Sequence, residues 1–94
     1  MAIKRLVFRI HALQRMAVHG IIPEDIHQSL EHYLVVEEYP DDNPYPSSLV
    51  LGWIGKRPLH IVIAENNESR ETIVITVYEP DSIKWMPGFM RRKP

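Results

Sequence analysis

Cysteine is absent from this chain of 94 residues, so a disulfide framework and a thiolate metal site are both excluded. No apolar run approaches the roughly 18 residues that cross a membrane, and the first residues lack the features of a secretory signal peptide. The five histidines show neither HxxxH nor HExxH spacing, which disfavours zinc. We therefore expect a cytoplasmic protein that uses no metal or cofactor and makes no membrane contact.

Acidic residues are missing from the first 23 positions, and basic residues are missing from the next 25. The formal charge is +4 over residues 1–23, −7 over residues 24–48 and +2 over residues 49–94. The net charge of −1 hides this asymmetry, which limits a polyanionic partner to a local basic face. The length predicts one domain spanning residues 1–94.

A first helix is predicted over residues 10–19, because Gly20 suits the position just past a helix end. Five apolar residues fill one arc that we expect to face the core: Ile10, Ala12, Leu13, Met16 and Ala17. Four polar residues fill the opposite arc: His11, Gln14, Arg15 and His19. His11 and Arg15 are four residues apart, so they are neighbours on that face and could handle a phosphate together. The alternative is an ordinary solvated helix face.

A second helix is predicted over residues 23–33, because Pro23 suits a first helical turn. Its expected buried stripe follows helical spacing and comprises Ile26, Leu30, Tyr33 and Leu34. Residues 40–47, which follow the strand predicted over residues 34–39, contain three prolines and are predicted to form a surface loop. This loop could also be the rim of a binding site.

Alternating and β-branched residues predict strands over residues 34–39, 48–54, 59–65 and 72–79, and residues 3–9 favour a short strand or extended arm. Centring the last hairpin on Glu68 places His60 opposite Thr76, with Tyr78 on the same face. This register is an assumption that a one-residue slip would overturn.

The predicted fold is α+β, with a helical hairpin on one face of an antiparallel four-stranded β-meander and a short N-terminal strand. A C-terminal helical turn is expected at residues 81–85, capped by Asp81 or Ser82, followed by a frayed basic tail. The second face of the sheet, which carries His60, would be open to solvent or a partner.

Several segments together resemble an uncharacterised family of short prokaryotic proteins catalogued as a domain of unknown function, number four-two-five-eight. They read "HALQRM" from His11, "PLHIVIA" from Pro58 and "TVYEPD" from Thr76, with Trp85 following. That family is similar to BrnT-type toxins and, through them, to the RelE/ParE superfamily, whose members cleave RNA or poison DNA gyrase. His19 stands where the family more often has arginine, which would make an anion site there pH-sensitive.

The resemblance implies a RelE/BrnT-like toxin whose activity is metal-independent cleavage of RNA and whose partner is a cognate antitoxin. Such cleavage needs a base, an acid and fixed positive charge, for which the candidate catalytic residues are His11, Arg15, His60 and Tyr78. The candidate RNA-binding residues are Lys56, Arg57 and Trp85. The acidic residues 24–48 or the open sheet face would contact the antitoxin.

Each candidate also has a structural explanation. His60 could be a hydrogen-bonded sheet residue, and Tyr78 and Trp85 could be aromatics at the edge of the core. Arg15 could pair with a carboxylate, and the cations of the hairpin tip could serve solubility alone. The alternative function is accordingly a non-catalytic protein-binding module, or a gyrase-type poison, of the same fold.

Overall fold

Two helices and one five-stranded sheet make up residues 4–94, the part of the chain that this computed structural model describes. The helices are α1 (Ile10–His19) and α2 (Pro23–Ser29). The strands are β1 (Arg5–Phe8), β2 (Leu34–Tyr39), β3 (Ser47–Ile54), β4 (Arg57–Asn66) and β5 (Glu71–Tyr78). The fold is therefore α+β, as predicted. No helix within residues 4–94 is long and apolar enough to span a membrane.

The sheet has the strand order β1-β5-β4-β3-β2. Consecutive strands from β2 to β5 are antiparallel neighbours, but β1 pairs with β5 in parallel, from Arg5 opposite Glu71 to Phe8 opposite Val74. The sheet is therefore mixed and five-stranded, not the four-stranded antiparallel sheet predicted. The predicted short N-terminal strand is confirmed over residues 5–8, while residue 3 of the predicted 3–9 segment lies outside the described residues.

Helix α1 packs on the sheet through only one edge of the predicted face. Only Ala12 and Met16 are buried, and they join the core together with Ile61 and Val77. Ile10 and Leu13, expected in the core, are 73% and 45% exposed. The helix is apolar on two sides, so periodicity alone could not select the side that meets the sheet.

Helix α2 ends at Ser29, four residues before the predicted end. Ile26 and Leu30 are buried as expected, but Tyr33 and Leu34 are exposed because the chain already turns there to enter β2. The Asp25 carboxylate accepts a hydrogen bond from the Ile22 N–H at 3.0 Å and so caps the start of the helix.

The register between β4 and β5 differs from the predicted one by two residues. His60 lies opposite Tyr78, not opposite Thr76, which pairs with Val62. A β-bulge follows that pair, because the next pair joins Ile63 to Val74 and leaves one residue of β5 unopposed. The bulge lets Val74 and Val77 both reach the helix-side core, which strict alternation forbids.

Residues 81–93, which we call the C-terminal segment, fold back onto the sheet. The Asp81 carboxylate accepts the Lys84 N–H at 2.8 Å and its carbonyl accepts the Trp85 N–H at 3.1 Å, so the predicted Asp81-capped turn is confirmed. The Lys93 N–H then donates to the Lys84 carbonyl at 2.8 Å. The tail is therefore not frayed, and the sheet face around His60 is covered instead of open.

Gly52 on β3 is required where α2 crosses the sheet. A Cβ atom there would lie 2.6 Å from the Ser29 carbonyl oxygen and 2.8 Å from the Ser29 Cβ. We expect Gly52→Ala to lower the free energy of unfolding by roughly 1–3 kcal/mol, because the helix must move away from the strand. Urea denaturation measures this, with Ser48→Ala on the same strand as the control. An unchanged midpoint for Gly52→Ala would contradict the close approach.

Candidate functional site

His60 is a fully buried polar side chain, with no exposed surface. Its Nε2 lies 2.8 Å from the Phe89 carbonyl oxygen, and its Nδ1 lies 3.0 Å from the Tyr78 hydroxyl oxygen. A carbonyl oxygen can only accept, so the ring proton lies on Nε2. Nδ1 is then an acceptor, and the Tyr78 hydroxyl donates to it.

Aromatic rings enclose this pair. The Trp85 ring stands perpendicular to the His60 ring, with centroids 4.4 Å apart, and the Tyr78 ring meets it edge-on at 5.2 Å. Trp85 is only 5% exposed, and the Arg92 guanidinium lies 4.8 Å from its ring centroid. The predicted role of Trp85 as a stacking platform for RNA bases remains a prediction, but here the Arg92 guanidinium lies over its ring.

Burial keeps both His60 and Tyr78 neutral. It lowers the pKa of His60 below its ordinary value and raises the pKa of Tyr78 above its ordinary value. The Arg92 charge lowers the pKa of His60 further, while the bond to Phe89 and the charge of Glu37 oppose the decrease. A neutral imidazole is therefore favoured at pH 7, as the hydrogen bonds require.

A cleft of about 700 Å³ lies beside Tyr78. It is bounded by α1, the end of β5 and the C-terminal segment, and its volume is typical of small-ligand sites. The lining side chains include four cations, Arg15, Lys84, Arg92 and Lys93, and two carboxylates, Glu79 and Asp81. Tyr78 and Trp85 line the same cleft.

The cleft has an excess of positive charge that protein groups do not neutralise. Glu79 is bonded to Arg57, and Asp81 accepts backbone N–H groups of its own turn. Arg92 pairs with Glu37 at 2.6 Å. Within residues 4–94, the three remaining lining cations form no salt bridge: Arg15, Lys84 and Lys93. An anionic ligand is therefore the chemical complement of this cleft.

The Arg15 guanidinium is partly oriented by its own helix. Its Nη2 lies 3.2 Å from the Nε2 of His19, one turn further along α1. Arginine can only donate, so the His19 nitrogen accepts. His19 thereby helps to hold Arg15 at the cleft.

The structure brings Arg15, Tyr78 and Trp85 together at the cleft and separates the other predicted residues from it. His11 is exposed on α1, whose buried residues pack on the face of β4 that carries Leu59 and Ile61. His60 lies between those two residues in the strand, so it points to the opposite face. His11 and His60, both candidate catalytic residues, therefore do not meet at one ligand, and a catalytic role for His11 stays a prediction.

The two predicted basic residues near the β3–β4 turn differ in their environment. Lys56 is exposed within the turn. Arg57 is half-buried, bonded to the Glu79 carboxylate, and donates to the His19 carbonyl at 2.6 Å. The Arg57 guanidinium thus ties the end of α1 to the end of β5, and its predicted contact with RNA stays a prediction.

Four contributors to the site were missed by sequence reasoning: Lys84, Arg92, Lys93 and the carbonyl of Phe89. Lys84 lies in the helical turn predicted over residues 81–85, whereas Arg92 and Lys93 occupy the tail that was expected to fray. No sequence signal marks a backbone acceptor. In the structure, Phe89 has φ 61°, a left-handed conformation that is unfavourable for a phenylalanine and that the contact with His60 helps to offset.

Comparisons with known proteins identify a family and no individual relative. The sequence model of a family described as "Domain of unknown function (DUF4258)" matches residues 8–79. No curated protein matches the chain. No solved structure matches it either. Among residues 4–94, no three His, Cys, Asp or Glu side chains group as a metal site.

Stability should depend on pH through His60. The lowered pKa means that the unfolded chain binds a proton near pH 6.5 that the folded chain does not. Stability is therefore retained above pH 6.5 and lost as the pH falls below it, at up to about 1.4 kcal/mol per pH unit from this residue. Denaturation of the His60→Gln variant between pH 7 and pH 5 should lack this component.

The matched control is His32→Gln, which removes an exposed histidine and should keep the acid dependence of the unmodified protein. Equal slopes for the unmodified protein and His60→Gln would contradict a buried, neutral imidazole.

Proposed function

We propose, for a chain that belongs to the family of unknown function described as DUF4258, that the cleft binds and cleaves RNA as a metal-independent endoribonuclease. On this proposal the protein is a RelE/BrnT-like toxin, neutralised in the cytoplasm by a cognate antitoxin. The observation that carries the proposal is a set of three cations around Tyr78 that form no salt bridge within residues 4–94: Arg15, Lys84 and Lys93.

The cleft matches the charge requirements of phosphodiester cleavage. Attack by a ribose 2′-hydroxyl gathers negative charge on the phosphate oxygens, and guanidinium and ammonium groups stabilise that charge. Arg15 can offer two parallel N–H donors to a phosphate, whereas the lysines act as point charges. Tyr78 lines the cleft with a titratable hydroxyl, and on this proposal it exchanges the 2′-hydroxyl proton, because Glu79 is paired with Arg57 and Asp81 accepts backbone N–H groups.

The charge distribution supports binding at one site instead of along a surface. The chain carries a net charge of −1, so a long polyanion gains no overall attraction from it. The cleft concentrates its cations within a volume that suits a short single-stranded segment. We expect affinity for RNA to fall modestly with salt, because few phosphates are contacted.

Removing the guanidinium of Arg15 should reduce RNA cleavage. Purified protein is incubated with end-labelled RNA in EDTA, and we expect Arg15→Ala to slow cleavage by about 10²–10³-fold, because one charge-stabilising donor is lost. Arg70→Ala is the control, since Arg70 is an exposed cation of the β4–β5 hairpin. If the unmodified protein at micromolar concentration leaves the RNA intact, the ribonuclease proposal is refuted.

A second candidate function, protein binding without catalysis, is favoured by the outer face of α1. Four exposed apolar residues form a stripe there, which we call the α1 stripe: Ile10, Leu13, Ala17 and Val18. Exposed Arg9 and His11 flank the stripe. Its complement is the apolar face of an amphipathic helix with acidic flanks, and in the toxin proposal that helix belongs to the antitoxin.

A negative charge in the α1 stripe should prevent the antitoxin from neutralising the protein. We expect Leu13→Glu to weaken binding of the protein encoded by the neighbouring reading frame by roughly tenfold or more, because a central apolar contact is lost. Growth arrest on expression should then no longer be rescued by that protein. Gln28→Glu adds the same charge at an exposed position of α2, away from the stripe, as a control. Equal rescue of Leu13→Glu and the unmodified chain would exclude this surface.

A further inference from the structure

We propose that His60 is a positioning residue that acts through Tyr78, directing the Tyr78 proton inward and accepting it while Tyr78 takes the proton of the ribose 2′-hydroxyl. This inference rests on the proposed function and assigns roles within the same site. In this assignment Tyr78 contacts the substrate, whereas His60 is buried behind Tyr78 and does not.

The direction of the hydrogen bonds is the first argument. The Phe89 carbonyl accepts a hydrogen bond from the single N–H group of the neutral imidazole, so Nδ1 has a lone pair and no proton. The Tyr78 hydroxyl, 3.0 Å away, must therefore donate inward. Its oxygen keeps lone pairs and offers an acceptor to any ligand that reaches it from the cleft. An acceptor is what abstraction of a hydroxyl proton requires.

Burial is the second argument. His60 has no exposed surface and so cannot contact RNA directly, whereas its hydrogen-bond partner Tyr78 lines the cleft. Burial also disfavours a free tyrosinate, since it raises the pKa of Tyr78. A tyrosine that passes its own proton to Nδ1 as it gains another never carries a full negative charge. The pair can thus act as a base although each member is neutral at rest.

The charged and titratable groups around His60 come from three elements. Glu37 and Tyr39 lie on β2, Tyr78 lies on β5, and Arg92 belongs to the C-terminal segment. Arg92 disfavours a second positive charge on the ring, whereas Glu37 and the Phe89 carbonyl favour it. Arg92 and Glu37 are paired with each other, and their charges have opposite effects on the pKa of His60. Burial, which lowers this pKa, is the largest cause and favours the neutral ring.

The proton and electron balance closes within the site. The 2′-hydroxyl oxygen forms a bond to phosphorus while its proton moves to the Tyr78 oxygen and the Tyr78 proton moves to Nδ1 of His60. The bond from phosphorus to the 5′-oxygen breaks, and that oxygen takes a proton from the Lys84 ammonium. The products are a 2′,3′-cyclic phosphate and a 5′-hydroxyl. Afterwards His60 returns its proton through Tyr78 and water to restore Lys84.

His60→Gln and Tyr78→Phe test the relay in the full chain. Glutamine offers one donor and one acceptor but cannot hold an added proton, and phenylalanine keeps the ring without the hydroxyl. We expect each variant to cleave RNA about 10²–10⁴-fold more slowly, as the loss of acid–base catalysis predicts. Affinity for an RNA with 2′-deoxy substitutions, which cannot be cleaved, should stay within about threefold, because the cations of the cleft are untouched.

The pH profile of the unmodified protein supplies a readout that does not depend on a variant's folding. We expect kcat/KM to fall with acid, with an apparent pKa below 6.5, since a protonated His60 can accept nothing. A rate that rises as the pH falls would overturn the relay, and so would cleavage by His60→Gln at the unmodified rate. No cleavage by the unmodified protein would instead refute the proposed function, and the relay with it.

Discussion

The hydrogen bond from the His60 Nε2–H to the Phe89 carbonyl, 2.8 Å long, determines what the surrounding groups can do. It fixes the tautomer of a ring that has no contact with solvent, and the tautomer fixes the direction of the Tyr78 hydroxyl. It also joins the C-terminal segment to the middle of β4. One interaction thereby links the order of the segment to the chemistry of the cleft.

The cleft depends on this attachment because the C-terminal segment forms one of its walls. Lys84 and Lys93 belong to the segment, and Trp85 anchors it by burial worth about 1.5–3 kcal/mol or more. The Arg92–Glu37 pair contributes little by comparison, because both side chains are more than a third exposed. The position of the cations therefore follows from packing around His60 more than from surface charge.

Local patterns predicted the elements better than their assembly. Gly20, in the left-handed conformation at the end of α1, was identified because only the chain nearby decides such a position. The side of α1 that meets the sheet, the bulge opposite Val62 and the fold-back of residues 81–93 depend on contacts between distant residues. Gly52 within a strand was the available signal for the close approach of Ser29.

The candidate site was predicted in part for the same reason. Arg15 and Tyr78 were chosen by residue type and do line one cleft, whereas the pairing of His11 with His60 required knowing which faces of the sheet they occupy. A backbone acceptor such as the Phe89 carbonyl has no side-chain signature. The most direct test of the account is nitrogen-15 NMR of the His60 imidazole at pH 7. We predict a neutral ring protonated on Nε2 with slow proton exchange, and a ring protonated on Nδ1, or on both nitrogens, would contradict it.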